Sequence, residues 1–378
     1  MIAKASQPGS PRRVVIAAPI TLGYGSPRYL RLQRVLSDRG HRVLVVDHEE
    51  PPGHGRRRHR LSGVRRLTVR RGPSRPYKLL QMRRTWERWR RRHERPDVLV
   101  AGTNALLAED WPDVQRRVIY FGEIESEWGT PGDDLKRQAD AADAVIAPQE
   151  DRLELARGLY RRAGAHFLVY NAPLRCETPA APERTLPSGR PLRVLYQGQI
   201  NELACTDAML DLAEHGGERF HLHLAGPVKE AYRARLDDLA GRGRLTYHGY
   251  VPNRALAALR ATCDVGLITW REGADLPLSI KYACPNKLYE YIAAAMPVVF
   301  LPNHSLGTWN RRYGFGVEAA GYTVDAMADA LAAVTADESR YAEQARHNAA
   351  LFADELNFEH QSRPLVEWIE RGGPGVAQ

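Results

Sequence analysis

Between residues 192 and 301 the chain alternates short aliphatic runs with helix-length segments at a spacing that leaves little choice of architecture. Residues 192–196, 220–225, 244–248, 264–268 and 298–301 read as strands, and 207–215, 229–240 and 253–261 as helices between them. Strands joined by single helices must run parallel, and right-handed crossovers then place helices on both faces of the sheet. The first half repeats the theme. A strand over 13–18, a glycine-bearing loop, a helix over 28–38 capped at Gly40 and a strand over 41–47 form one βαβ unit. Strands over 97–101 and 117–121 follow. A helix then gives way to a strand within 139–148, and a helix over 150–163 leads to a strand over 166–170. Residues 175–191 are rich in Pro, Glu and Ser without an apolar period, and read as a linker. A chain of 378 residues suits two such domains.

The 43% hydrophobic content supports full cores. No apolar run nears the roughly 20 residues that cross a bilayer, and the stretch up to Arg13 lacks the apolar core of a signal peptide. Cys176, Cys205, Cys263 and Cys284 are scattered, which argues against a zinc site or a disulfide framework and suits a reducing cytoplasm. The net charge of +9 is uneven: residues 54–95 hold sixteen arginines and one lysine against Glu87 and Glu94, a local +15 that leaves the remainder at −6. One face of the first domain is therefore strongly positive. Within this stretch a helix over 77–92 sets Leu79, Leu80, Met82, Trp86 and Trp89 among the arginines. It could lie on an anionic membrane surface or pack on its own domain. No recognised nucleic-acid module surrounds it, so no nucleic-acid partner is expected.

The most informative stretch is 285–299. Pro285 suits a helix start. Leu288, Tyr291, Ile292 and Ala295 make one apolar face, and Pro297 reads as the stop before a buried strand. Lys287 and Glu290 share the other face near the helix start. A cation beside free helix N–H groups can hold a phosphate, and a carboxylate one turn on can accept from two ribose hydroxyls. The plain alternative is a surface ion pair.

The run Pro-x-Lys-Leu-x-Glu-Tyr, small residues, then Pro-Val-Val resembles the donor-binding segment of retaining glycosyltransferases with two Rossmann-like domains, the GT-B fold, and of family 4 among them. The passage from Ala-Asp-Ala-Val-Ile-Ala-Pro at 142–148 to Tyr-Asn-Ala-Pro at 170–173 resembles the last βαβ unit of that family's first domain. The likeness runs from about Val14 to Ile369. It implies an α/β protein with two Rossmann-like, doubly wound parallel-sheet domains facing a cleft. An acceptor domain would span 1–174, a linker 175–191 and a donor domain 192–354, with a C-terminal helix over 355–372 packing back on the first domain. A sugar would pass from a nucleotide-diphosphate sugar to a hydroxyl of a small molecule, glycan or lipid-linked sugar, with retention. No cofactor is implied. No metal is implied either, as the sequence has no Asp-x-Asp run.

Carried over residue by residue, the resemblance implies donor contacts at Gly198, Gln199, Gly226, Lys281, Lys287, Leu288 and Glu290, and a base-binding turn at Tyr250 and Val251. Gly23 and Gly25 would approach the donor phosphate, or serve only a tight turn. Glu123 and Glu125, after a strand's carboxyl end, would orient or deprotonate the acceptor hydroxyl; otherwise they are an acidic cluster favoured by a helix dipole. The chain departs from the family at three charged positions. Gln199 stands where Arg usually follows the glycine, Ala204-Cys205 where another cation is expected, and Tyr282 where a Glu precedes the ribose Glu by eight residues. Lys281, Arg271 or Lys287 would have to supply the charge. The other readings are a non-catalytic GT-B protein supporting a partner transferase and, third, an epimerase or phosphorylase. The expected location is cytoplasmic, with peripheral attachment to the inner face of the membrane as an extension.

Overall fold

A computed structural model describes residues 11–18, 22, 27–48, 64–69, 75–91, 95–102, 114–122, 124, 132–178, 183–216, 219–273, 275–283 and 285–371. The chain divides into two compact units. One holds residues 1–171 and 361–378, the other 172–360.

In the first unit the elements run β1 (Arg13–Ala17), α1 (Arg28–Asp38), β2 (Arg42–His48), β3 (Arg65–Val69), α2 (Arg75–Arg90), β4 (Val98–Gly102), β5 (Arg116–Tyr120), α3 (Gly132–Ala141), β6 (Ala144–Ala147), α4 (Glu150–Leu159) and β7 (Ala165–Leu168). The strands make a parallel sheet in the order β3-β2-β1-β4-β5-β6-β7. Central strands such as β4 and β6 are buried along their whole length, as expected of a sheet covered on both faces.

Two residues of the basic stretch engage the domain's interior. Arg66 pairs with Asp47, which is fully buried and also accepts from the Leu22 N–H at 3.1 Å. Trp86 on α2 is 3% exposed inside the core, with Trp89 stacked on it at 4.9 Å. Trp86 therefore anchors α2 to its own domain and is not available to a membrane. Among the described side chains of α2, Tyr77 and Leu80 are exposed, at 39% and 44%.

The second unit runs β8 (Leu192–Gln197), α5 (Thr206–His215), β9 (Phe220–Ala225), α6 (Glu230–Gly241), β10 (Leu245–Tyr247), α7 (Asn253–Thr262), β11 (Val265–Ile268), α8 (Leu278–Lys281), α9 (Asn286–Ala293), β12 (Val298–Phe300), α10 (His304–Tyr313), β13 (Gly316–Glu318), α11 (Val324–Val334) and α12 (Glu338–Asp354), and the chain ends on α13 (Phe358–Arg371), which only begins in this unit. Its sheet is parallel in the order β10-β9-β8-β11-β12-β13. Val194 of β8 pairs with Leu222 on one side and Val265 on the other. Leu222, Leu224 and Leu267 pack under α5, α6 and α11 in one core.

Sequence reading makes the end of the chain wholly helical, but the edge strand β13 intervenes between α10 and α11. It also ends α9 at Pro297. The helix closes earlier, at Ala293, and Ala295 adopts φ +54°, a left-handed stop. Residues from 361 onward, most of α13, group with the first unit. There Arg116 donates to the Trp368 carbonyl at 2.7 Å with its guanidinium 4.5 Å from the Trp368 ring. Among the described residues no helix is long and apolar enough to cross a membrane.

Candidate functional site

The strand order of the second sheet reverses at β8, which has β9 on one side and β11 on the other. Crossovers on either side of such a point leave by opposite faces, so a crevice opens at the strands' carboxyl ends, where open α/β sheets bind ligands. Gly198 follows β8 and Gly226 follows β9, at φ +141° and +143°. A Cβ on Gly226 would lie 1.8 Å from the Gly198 carbonyl oxygen. The two strand ends therefore touch backbone to backbone, which only glycine permits. The Gly226 N–H donates to the Gly249 carbonyl at 2.7 Å, drawing the 249–251 turn to the same rim. On that turn Tyr250 is 60% exposed and Val251 half-buried.

Helix α9 begins beside this rim. Pro285 occupies its N-cap in an extended conformation, one residue before the position the sequence suggests. Leu288, Tyr291 and Ile292 are buried as their spacing predicts. Lys287 is buried too, at 7% exposure. Its Nζ lies 3.9 Å from the centroid of the Tyr196 ring and 6.0 Å from that of Trp270. It stands 2.9 Å from where a Cβ on Gly198 would be, so a side chain at 198 would displace the ammonium. Among the described residues Nζ has no hydrogen-bond acceptor. Burial lowers its pKa to about 7, with the Glu290 carboxylate opposing the shift. A largely desolvated cation that meets no acceptor among the described residues favours an incoming anion.

Glu290, one turn on, keeps its side chain only 11% exposed. Oε2 accepts from the Arg260 guanidinium at 3.1 Å and from the Gln197 amide. Arg260 also donates to Gln197 Oε1 at 3.1 Å. The Gln197 backbone N–H donates to the Tyr291 hydroxyl at 3.1 Å, and that hydroxyl donates to the Leu195 carbonyl at 3.0 Å. The carboxylate is thus held by one oxygen. Oε1 has no partner among the described residues and is left for another donor.

The remaining expected residues scatter more widely. Leu288 belongs to the core. Gln199 accepts from the Tyr196 hydroxyl through its carbonyl at 2.7 Å and from Asn201 through its side chain at 3.3 Å. Lys281 places its ammonium 5.8 Å from the Tyr282 ring centroid, and no described contact joins it to Lys287 or Glu290. Arg271 donates its backbone N–H to the Leu203 carbonyl at 3.2 Å, and its charge opposes the rise of the Cys205 thiol, which burial pushes up to about 11. Arg271 is thus near 204–205, and its guanidinium is paired with Asp275 at 3.0 Å. Gly23, Gly25, Glu123 and Glu125 lie outside the described residues.

Sequence reasoning missed Gln197, Arg260, Tyr196 and Trp270. Arg260 gave no usable signal: it is one arginine in the last turn of α7, 30 residues from the carboxylate it holds, in a chain with 54 basic residues.

No family model matches the chain, and no curated protein matches it by sequence. Solved structures do resemble it. Sucrose-phosphate synthase from Thermosynechococcus elongatus superposes with a TM-score of 0.71 at 13% identity, over 96% of this chain and 98% of that one. Anabaena HepE, solved with UDP-glucose, gives 0.66 at 13% over 95% and 100%. WaaG, a glycosyltransferase involved in lipopolysaccharide biosynthesis, gives 0.63 at 11% over 94% and 99%. Identities this low speak for the fold alone. With the two parallel doubly wound sheets they establish it: the chain has the GT-B fold, two Rossmann-like α/β domains.

Proposed function

We propose that the protein is a retaining, metal-independent glycosyltransferase related to family 4, which moves a sugar from a nucleotide-diphosphate sugar to an acceptor hydroxyl. The observation that carries this is Lys287: a buried lysine whose ammonium meets no acceptor among the described residues, at the start of a helix, against a strand end that only glycine can make. A diphosphate supplies the missing acceptors, and the first N–H groups of α9 add to them. Oε1 of Glu290 takes the ribose hydroxyls. Gly198 and Gly226 admit the phosphates, with Gln199 beside them. The 249–251 turn presents backbone groups to the base, with Tyr250 and Val251 flanking it, while Leu288 fixes the helix from below. Lys281 and Arg271 add longer-range positive charge. The roles that the resemblance gives Gly23 and Gly25 toward the phosphate, and Glu123 and Glu125 toward the acceptor, are part of the same proposal.

Chemistry follows from that placement. The acceptor oxygen bonds to the anomeric carbon on the face from which the diphosphate departs. The acceptor proton passes to the departing phosphate oxygen, and the negative charge gathering there is met by Lys287 and the helix amides. The donor is a substrate and no cofactor takes part. UDP-glucose, bound by the Anabaena neighbour, is the first donor to try. The test is release of nucleoside diphosphate from a panel of uridine, guanosine, thymidine and adenosine diphosphate sugars. Wild type should release it and Glu290→Ala should lose most of that activity. Turnover unchanged in Glu290→Ala would remove the assignment.

The acceptor, a small molecule, glycan or lipid-linked sugar, would be met at an anionic membrane. On α2, Tyr77, Leu80, Arg84 and Arg88 are exposed and recur at three- and four-residue spacing along one face. Such a face suits peripheral attachment on the cytoplasmic side.

A further inference from the structure

The segment just before β8 carries a second buried cation. Arg184 is 8% exposed. Its Nε donates to the Ala294 carbonyl at 2.9 Å, one terminal nitrogen to the Cys263 carbonyl at 2.6 Å and the other to the Arg260 carbonyl at 2.9 Å. Ala294 closes α9, and Arg260 and Cys263 close α7. Helix ends leave carbonyls without intrahelical partners and carry partial negative charge, so a cation suits them. All three guanidinium nitrogens are engaged, and the rigid fork fixes the spacing of the two helix ends as a flexible ammonium could not.

Those two helices carry the pair that meets at 3.1 Å, Arg260 on α7 and Glu290 on α9. We propose that Arg184 is a positioning residue for the nucleotide-sugar site: by locking the C-terminal carbonyls of α7 and α9 it sets the register of Arg260 against Glu290, and so the direction of the free carboxylate oxygen. The proposal rests on Glu290 being the ribose ligand. The Tyr341 hydroxyl also reaches Arg184, and Asp264 lies nearby. Neither belongs to α7 or α9.

The same segment supplies a control. Arg190 grips Asp264 with two hydrogen bonds, at 2.7 and 2.8 Å. Asp264 leads into β11 rather than closing either helix, so losing Arg190 should loosen the segment without turning Glu290.

The experiment is calorimetric titration of uridine, guanosine, thymidine and adenosine diphosphates into wild type, and then of the one that binds best, with melting temperatures, into Arg184→Lys, Arg190→Ala, Glu290→Ala and the Arg184→Lys/Glu290→Ala double variant. Arg184→Lys should bind about tenfold more weakly than wild type, and Arg190→Ala within about twofold of it even where the melting temperature falls equally. With Glu290 already replaced, Arg184→Lys should cost less than about twofold more, because coupled residues are not additive. Equal losses in both backgrounds, or undiminished binding by Arg184→Lys, would overturn the positioning role and leave the site itself standing. A wild type that binds none of the uridine, guanosine, thymidine and adenosine diphosphates would overturn the site and this role with it.

Discussion

At its C-terminal end α9 meets the Arg184 guanidinium, whose three nitrogens each find a carbonyl oxygen. At its N-terminal end α9 carries the Lys287 ammonium, equally buried, resting on the Tyr196 ring with no acceptor among the described residues. The same short helix thus holds one saturated and one unsaturated cation. A saturated buried cation belongs to the framework, since its desolvation is offset within the fold. An unsaturated one keeps that cost until an anion arrives. The contrast separates the part of the second unit that builds the site from the part that uses it.

Substitution should split the two ends most widely. Arg184→Met leaves three buried carbonyls unpaired and should cost about 3 kcal/mol or more of stability in urea denaturation. Lys287→Met removes a buried charge and keeps an apolar stem against Tyr196, so stability should hold or rise by about 1 kcal/mol. Nucleotide affinity should meanwhile fall by about 2 kcal/mol. If both variants lose stability alike, the contrast is wrong.

Glu290→Ala comes next, weakening nucleotide binding by about 1–3 kcal/mol in the same titration. Unchanged affinity would mean that Oε1 meets no ligand.

The pH dependence is a subtler check. Lys287 titrates at about 7 in the native protein against an ordinary 10.5. Between those values the unfolded chain holds a proton that the native protein lacks, so unliganded stability should rise with pH through this window. Below pH 7 the cost of burying the charge is present in full. A bound diphosphate restores the ammonium, so binding at pH 8 should take up protons, measured as a dependence of the binding heat on buffer ionisation enthalpy. Both effects should vanish in Lys287→Met.

The smallest effect concerns α2. Arg84→Glu with Arg88→Glu should reduce flotation with anionic liposomes, at roughly 1 kcal/mol per residue, while stability stays within about 0.5 kcal/mol. Flotation equal with neutral liposomes would remove the membrane reading.

Much of the framework was legible because strand and helix periods differ. Phe220–Ala225 and Arg28–Asp38 have the bounds the sequence suggests, and the apolar face of α9 follows from its spacing. What escaped was what period does not encode. The three residues of β13 pair only because β12 lies beside them, and Ala295 stops α9 through a left-handed backbone that its side chain does not announce. Arg66, Arg184 and Arg260 look alike in an arginine-rich sequence. Only the fold shows that one pairs with the buried Asp47, one caps two helices and one holds Glu290. Lys287 and Glu290 could be chosen in advance because they sit on a recognisable run. Their partners come from elsewhere in the sequence.

The most direct measurement is titration of uridine diphosphate, and of the guanosine, thymidine and adenosine diphosphates, into wild type and Lys287→Met at pH 6.5, beside each protein's melting curve. The account predicts that wild type binds at least one of them and that Lys287→Met is as stable or more so but binds it at least about tenfold more weakly. Equal affinity in the two proteins, or no binding by wild type, would contradict it.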